Sequence, residues 1–173
     1  MKIYSRIHVS DLESDSRVVL KFTQDRPNFP NEKSTSFFLI NDQSHFIWSE
    51  RSWFPAMDGR PGKWVGGSIM EFPRPGLPWL IDSLENQFFK TSKEGGLPKG
   101  KFTVETKIDG EILVIARMMG SPGYSFRNYS RKGHTLASKK GPQWMDLDDG
   151  LLFNDGLFDQ LKHLAQKVKQ GTL

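Results

Sequence analysis

The stretch Ser36–Phe54, SFFLINDQSHFIWSERSWF, decides the fold because two apolar runs flank a short polar turn. Ser36–Ile40 and His45–Glu50 are rich in aromatic and β-branched residues, which favour strands. Asn41–Ser44 (NDQS) between them has residue types that are typical of a hairpin turn. The stretch therefore predicts an antiparallel β-hairpin.

The residues on either side of this hairpin predict more strands and then a helix. Three further strands are predicted in the first half of the chain: Ile3–Val9, Arg17–Thr23 and Ser68–Phe72. Asp11–Ser16 predicts a polar turn, and the proline-containing stretches Asp25–Lys33 and Pro55–Gly67 predict loops. In Leu77–Phe89 apolar residues recur at helical spacing, and Pro78 falls in the first turn, where a proline is tolerated.

The second half repeats this order after Thr91–Gly100, a polar and glycine-rich stretch that predicts a linker. Its predicted elements are the strands Phe102–Ile108, Glu111–Met118, Tyr124–Tyr129 and Thr135–Ser138 and the helix Leu157–Val168. Asp109–Gly110 predicts a tight hairpin turn and Asp146–Asp155 an acidic connection. Asn154 or Asp155 is the predicted N-cap of the second helix.

We therefore predict an α+β fold of twisted antiparallel sheets with two packing helices, built from a duplicated ββββα unit. The segments GLPWLIDSL (76–84) and GLFDQLKHL (156–164) support the duplication. Arg51 and Arg117 support it too, because each ends an apolar strand. The alternative is a single α+β domain with two unrelated helices.

The predicted units are residues 1–90 and 101–173, with a linker at 91–100, and they are expected either to stay separate or to pack as one domain. Apolar residues of both helices are expected to pack helix against helix. These residues are Leu80, Ile81, Leu84, Phe88, Leu157, Leu161, Leu164 and Val168.

Composition excludes several classes of protein. The 173 residues contain 24 Lys and Arg against 20 Asp and Glu, a net charge of +4, and the pI is about 9.3. The absence of cysteine excludes disulfide scaffolds, cysteine-ligated zinc, iron–sulfur clusters and thiol catalysis. No apolar run is long enough to span a membrane, and the N-terminal stretch is too polar for a signal peptide. We expect a soluble, intracellular protein of the cytoplasm or nucleoid, of bacterial or viral origin.

From Arg117 to Trp144 the chain carries basic and aromatic residues but no acidic ones. The basic residues are Arg117, Arg127, Arg131, Lys132, Lys139 and Lys140, and the interleaved rings are Tyr124, Phe126, Tyr129 and Trp144. This composition is typical of single-stranded nucleic-acid sites, where cations follow the phosphates and rings stack on bases. Strand alternation puts residues 124, 126 and 128 on one face and 125, 127 and 129 on the other. The alternative is that Tyr124 and Phe126 are core residues and that Arg127 and Arg131 are solvated surface.

A second cluster of basic and aromatic residues lies around the predicted Pro55–Gly67 loop. It consists of Arg51, Trp53, Phe54, Arg60, Lys63 and Trp64. The ring of Trp64 is expected either to be exposed or to pack over the sheet edge. Lys99 and Lys101 add two cations beside the linker. We predict that these residues and those of the Arg117–Trp144 stretch, except Phe126, bind nucleic acid.

The acidic and histidine residues do not predict an enzyme. Those from Asp146 to Asp159 lack EF-hand spacing, and the ones at the helix start are expected to stabilise its N-terminus. The four histidines are dispersed, without metal-ligand spacing. Glu105–Lys107 (ETK) matches half of a metal-nuclease motif, which is common by chance. We predict no catalytic residues, no metal site and no cofactor.

The order of motifs from Ser36 to Leu84 resembles the positive coactivator four family. The matching residues are Arg51, Trp53, Phe54, Asp58, Gly59, Pro61, Gly62, Lys63 and the helix from Gly76. The second half is similar more loosely, through the hairpin at 102–120 with Gly110 and Arg117, and through Trp144–Leu164.

The resemblance implies a curved antiparallel sheet with packing helices, as in the related Whirly and Pur-alpha-like proteins. It also implies binding of single-stranded nucleic acid across the sheets by two units joined through their helices, within one chain or in a homodimer. The family's hairpin-turn contacts fall here on Asp42, Gln43, His45, Ile108, Asp109 and Glu111. These positions have lost the family's positive charge, which implies a shift of the contacts toward later loops.

The expected function is non-catalytic binding of single-stranded DNA or RNA with little sequence preference, in replication, recombination or transcription. The stacking candidates are Trp53, Trp64, Tyr124, Tyr129 and Trp144. Two alternatives stay open: a protein-interaction or structural module whose aromatic surface binds a partner chain, and a metal-dependent nuclease that uses Glu105.

Overall fold

The computed structural model describes residues 7–24, 35–56, 58–133 and 140–173. In chain order the first half contains β1 (Val18–Gln24), β2 (Thr35–Asp42), β3 (His45–Phe54), β4 (Lys63–Pro73) and α1 (Gly76–Ser83). The second half contains β5 (Thr103–Ile108), β6 (Glu111–Arg117), β7 (Gly123–Lys132), β8 (Pro142–Asp148) and α2 (Leu157–Gln170). Short π-helical turns follow α1 at Leu84–Phe88 and precede α2 at Gly150–Asn154, and a single 3₁₀ turn lies at Ser92–Glu94.

The strands form two antiparallel sheets in which neighbours in sequence are neighbours in space. The first sheet has the order β1-β2-β3-β4 and the second the order β5-β6-β7-β8. Each sheet is followed by one helix, so the predicted α+β class with antiparallel sheets is confirmed. Within the described ranges, no helix has the length and apolar character needed to cross a bilayer.

The β3–β4 hairpin is longer than predicted. β3 continues to Phe54 and β4 begins at Lys63, so the predicted Pro55–Gly67 loop shrinks to the residues between them. Trp53 and Trp64 are directly paired across the two strands, with ring centroids 5.3 Å apart. Such cross-strand aromatic pairs stabilise a hairpin, which accounts for the pairing of β3 and β4 beyond the predicted strand ends.

Other predicted boundaries also differ from the structure. Ile7–Val9 are not in a strand, and residues 1–6 and the predicted strand Thr135–Ser138 lie outside the described residues. The predicted acidic connection is wrong at its start, because Asp146 and Asp148 belong to β8. Gly156, with a φ of +79°, caps α2 in place of Asn154 or Asp155.

One apolar core is shared by both sheets and both helices. Alternate residues of the strands supply it, including Phe46 and Trp48 from the first sheet and Phe126 and Leu147 from the second. Seven of the residues predicted to pack helix against helix are buried in it, and Val168 is partly buried. The two halves therefore pack as one body within the chain, whereas a homodimer through the helices stays a prediction.

The first sheet buries its other face as well. Phe38, Ile40 and Ile47 form a second apolar cluster on that face, together with Leu12. Leu12 comes from the segment predicted as a polar turn and is fully buried. The segment Ile7–Ser16 therefore covers the outer face of the first sheet.

Candidate nucleic-acid interface

The second sheet turns one face to the core and the other face outward. Val104, Ile115, Phe126 and Met145 are paired across its four strands and point into the core. Residues one position along each strand therefore lie on the opposite face. We call this opposite face the outer face of the second sheet, and several predicted binding residues lie on it.

The first row of this outer face is built from small and polar side chains. The directly paired residues are Thr103, Ala116, Ser125 and Asp146. They line a groove of about 690 Å³ together with Phe102, Arg117, Met118, Met119 and Arg127. Phe102 is 61% exposed and Met119 is 99% exposed. The groove therefore has a floor of small side chains and exposed apolar groups at one end.

The second row carries larger side chains. Its directly paired residues are Glu105, Val114, Arg127 and Trp144. The Nε atom of Arg127 donates a hydrogen bond to Ser125 Oγ at 3.1 Å. This bond orients the guanidinium between the two rows, and its Nη groups make no hydrogen bond with the part of the chain that the structure describes. Tyr129, two residues further along β7, is 49% exposed.

Six of the cations predicted to bind nucleic acid are exposed or half-buried and make no ion pair with any residue that the structure describes. They are Arg60, Lys63, Lys99, Lys101, Arg127 and Lys132. By contrast, Arg17, Lys21, Lys162 and Lys169 are paired with carboxylates. Lys140 is exposed two residues before β8, and Lys139 lies outside the described residues. The unpaired cations are the ones that can neutralise a phosphate without first breaking a pair.

The paired ends of β3 and β4, residues 53–54 and 63–64, form what we call the β3–β4 arm. This arm carries most of the basic and aromatic cluster predicted in the first half. Phe54 is 54% exposed and Trp53 is 37% exposed. Phe54, Arg60 and Lys63 line a shallow groove at the tip of the arm. A Cβ atom at Gly62 would lie 2.6 Å from Trp53 Cζ2, so the glycine leaves room for this ring. The arm thus presents rings and cations on a separate surface.

Arg51 is not available to a ligand. It is only 2% exposed, and its guanidinium lies 3.9 Å from the ring centre of Trp64 and 5.0 Å from that of Phe38. It donates a hydrogen bond to the Val9 carbonyl oxygen at 3.0 Å and pairs with Glu13 at 2.6 Å. Arg51 therefore anchors the segment Ile7–Ser16, and the half-buried Trp64 packs over it rather than over the sheet edge.

Arg131 is also removed from the surface. It is 5% exposed and pairs with Glu71 and Glu111 where the two sheets meet. His45 Nε2 lies 2.8 Å from Glu111 Oε1 and 3.1 Å from Arg131 Nη2, and Asn128 donates a hydrogen bond to Glu111 at 2.6 Å. We call these five residues the inter-sheet cluster. Arg131 balances buried carboxylates there and cannot reach a phosphate.

The pKa of Glu111 reflects this environment. Burial alone would raise it, but hydrogen bonds from His45, Arg131 and Asn128, with the charge of Arg131, outweigh burial and lower the pKa to about 2. The Glu111 carboxylate is therefore charged at neutral pH and belongs to the framework that joins the sheets.

Tyr124 is a core residue and cannot stack on a base. It is 6% exposed, its ring centre lies 5.3 Å from that of Phe88, and burial raises the pKa of its hydroxyl. Arg117 is exposed, but its Nη2 donates to the Phe88 carbonyl oxygen at 2.9 Å. The alternation predicted for β7 is confirmed, since Tyr124 and Phe126 face the core while Arg127 faces outward.

The proposed equivalence of Arg51 and Arg117 is wrong. Arg51 lies on β3, the third strand of its sheet, whereas Arg117 lies on β6, the second strand of its sheet. The hairpins matched through the family resemblance, β2–β3 and β5–β6, likewise occupy different positions in their sheets. Both halves have four strands and a helix, but Arg51 and Arg117 do not occupy equivalent strands in the two halves.

Of the residues that line the groove, sequence reasoning predicted only Arg117 and Arg127, and it missed Phe102, Met119 and Asp146 among the others. A signal for Asp146 exists, because Gln143–Asp148 (QWMDLD) alternates and Met145 and Leu147 are buried. Glu105 and Lys107 share the outer face, as alternation predicts. Among the described residues, no group of three or more His, Asp or Glu side chains is arranged to hold a metal ion.

No protein-family model matches this sequence, and a search of curated proteins returns no match. The resemblance to the positive coactivator four family therefore stays a prediction, and function has to be argued from the surfaces described above.

Proposed function

We propose that this protein binds single-stranded nucleic acid, DNA or RNA, without catalysis and with low sequence preference. The contact surface is the outer face of the second sheet, and the β3–β4 arm adds a second contact. The observation that supports this most is Arg127, which makes no ion pair with the described residues, lines the groove and precedes the exposed Tyr129 by two residues on β7. Such an activity would serve replication, recombination or transcription.

The chemistry of single strands suits this surface. Phosphates are neutralised by unpaired Lys and Arg, and the release of counterions drives binding. Unpaired bases stack on rings that a rigid support holds in place, and a sheet face supplies that support. Arg127, Lys132 further along β7 and Lys101 next to Phe102 supply cations for the backbone. Tyr129 and Phe102 offer rings for bases.

A second candidate function is a protein-interaction module. The exposures of Phe102 (61%) and Met119 (99%) favour it, because exposed apolar groups in a groove also suit a partner chain. The two functions differ in their salt dependence, since only phosphate binding releases a condensed layer of counterions.

The test is fluorescence anisotropy with a labelled thymidine homopolymer over a series of salt concentrations. We expect affinity that falls steeply with salt. Arg127→Ala should lower the slope of log K against log salt by about one, as loss of one phosphate contact does. Tyr129→Ala should weaken binding about 5- to 150-fold if the ring stacks on a base.

Lys169→Ala is the matched control, because Lys169 is an exposed cation on α2 that pairs with Asp82. It should bind as the wild type does. A wild-type protein without affinity for the homopolymer, or with salt-independent affinity, would contradict the proposal and favour the protein-interaction module. Wild-type behaviour of both Arg127→Ala and Tyr129→Ala would exclude the outer face as the site.

A further inference from the structure

Asp146 places a carboxylate inside the groove of the outer face. It lies on β8 opposite Ser125 and is exposed. It makes no hydrogen bond or ion pair with the residues that the structure describes, whereas its neighbour Asp148 accepts a hydrogen bond from the Leu151 amide at 2.8 Å. No contact within the described ranges therefore gives Asp146 a structural role.

A carboxylate is unexpected where phosphates are to be bound, because it repels them. It is useful there only if it contacts a donor on the ligand. An ionised carboxylate accepts hydrogen bonds through both oxygens and donates none. Among the parts of a nucleic acid, base edges supply such donors, and in single strands the Watson–Crick edge is free to be read.

The groove has room for one base beside Asp146. Its floor is made of the small side chains of Ala116 and Ser125, and Phe102 and Met119 supply apolar surface for the face of a ring. Arg127 lines the same groove and is held by Ser125. A base that lies on this apolar surface brings its polar edge toward the Asp146 carboxylate, while its phosphate stays close to Arg127.

Among the bases, guanine best complements the two acceptor oxygens of the Asp146 carboxylate. Its Watson–Crick edge carries two adjacent donors, N1–H and the 2-amino group, which can meet the two carboxylate oxygens as parallel hydrogen bonds. Thymine and uracil offer one donor between two acceptors, and adenine and cytosine offer an amino group next to an acceptor. The other bases would therefore place an acceptor against the carboxylate.

We infer that Asp146 selects guanine at one nucleotide position of the bound strand. This inference rests on the proposed function and deepens it, because it adds a preference at one position to a surface that otherwise binds any sequence. Bidentate pairs of this kind discriminate between bases by about 5- to 150-fold.

The test compares labelled thymidine homopolymers that contain one central substitution: guanine, inosine or 7-deazaguanine. Inosine lacks the 2-amino group, and 7-deazaguanine keeps the whole Watson–Crick edge. For the wild type we expect tighter binding of the guanine and 7-deazaguanine strands than of the unsubstituted strand, by about 5-fold or more, with inosine weaker than guanine. Asp146→Asn should remove this preference.

Glu105→Gln is the matched control, because Glu105 is an exposed carboxylate in the second row of the same face. It should keep the guanine preference. Equal affinity of the wild type for all strands would overturn the inference, as would an Asp146→Asn protein that gains affinity for every strand by the same factor. Failure of the proposed function would look different, since the wild type would then not bind the unsubstituted strand at all.

Discussion

Arg51, Arg127 and Arg131 all lie on the third strand of a sheet, yet their neighbours give them different roles. Arg51 is stacked between two rings and anchors the segment Ile7–Ser16. Arg131 is surrounded by Glu71, Glu111 and His45. Arg127 makes only a hydrogen bond to Ser125 among the described residues. The sequence shows the three only as basic residues of the same type. Because Arg51 and Arg131 are buried, Arg127 is the one of the three that can bind a ligand.

A substitution at Arg131 should test its structural role. Arg131→Met leaves two buried carboxylates, Glu71 and Glu111, without their counter-ion. Removing one partner of a buried pair costs about 3–5 kcal/mol, so the free energy of unfolding should fall by that amount. Urea unfolding followed by circular dichroism measures it.

The control is the adjacent Lys132→Met, which replaces an exposed cation that makes no ion pair with the described residues. Surface changes of this kind stay within about 0.5 kcal/mol. If Arg131→Met were as stable as Lys132→Met, the inter-sheet cluster would not hold the sheets together. Because Arg131 is structural, a variant that replaces both Arg131 and Lys132 would lose stability as well as a surface cation, so its binding affinity would not report on Lys132 alone.

At the scale of elements, the segment Ile7–Ser16 explains why the outer face of the first sheet is covered. Leu12 fills the apolar cluster on the first sheet, and Glu13 pairs with Lys21 and Arg51. The hydrogen bond from Lys21, with the charge of Arg51, holds the pKa of Glu13 below its usual range. In the second sheet the corresponding outer face keeps exposed residues such as Glu105 and Tyr129.

Leu12→Ala should therefore destabilise the whole protein. Truncating a fully buried leucine costs about 2–5 kcal/mol, through lost burial and the cavity that is left. The measurement is the free energy of unfolding in urea. Ser16→Ala in the same segment is the control, because Ser16 is exposed and its change should be small. Equal stability of the two variants would mean that the segment does not pack on the sheet in solution.

At the scale of the molecule, two features join the halves: the common apolar core and the inter-sheet cluster. His45 and Glu71 come from the first sheet, and Glu111, Asn128 and Arg131 come from the second. The Gln143 side chain also accepts a hydrogen bond from the Glu71 amide at 2.8 Å. The position of one sheet against the other is thus set by specific polar contacts as well as by apolar burial.

This cluster predicts how stability changes with acid. The pKa of Glu111 is about 2 in the folded protein against 4.5 for an unperturbed glutamate. Its contribution is fully present above pH 4.5 and is lost as the pH falls toward 2, because the unfolded state takes up the proton first. The loss should amount to about 3 kcal/mol.

Urea unfolding at a series of pH values between neutral and acid measures this effect. Glu111→Gln should lower stability at neutral pH and should flatten the acid dependence relative to the wild type. Other carboxylates also have lowered pKa values, Asp15 and Glu94 among them, so the difference between the two proteins isolates Glu111. Parallel curves for both proteins would contradict this assignment.

The sequence by itself determined the α+β class and the face of β7 that is apolar. In Tyr124–Tyr129 the local pattern is enough, because side chains alternate across a strand whatever lies around it. Ser36–Phe54 predicts strands but not their faces, because both faces of the first sheet are buried. The apolar face of α2 follows from helical spacing in the same way. Such periodicities belong to the backbone and need no knowledge of distant residues.

Only the tertiary structure decided which of the outward residues are available to a ligand. Nothing near Leu12 in the sequence indicates that it covers a sheet, and Arg131 is drawn inward where the β7–β8 register shifts after Asn128. The groove joins Phe102, Ser125 and Asp146 from three different strands or their flanks. Burial and charge pairing depend on contacts between residues far apart in the chain, and a local pattern carries no information about those contacts.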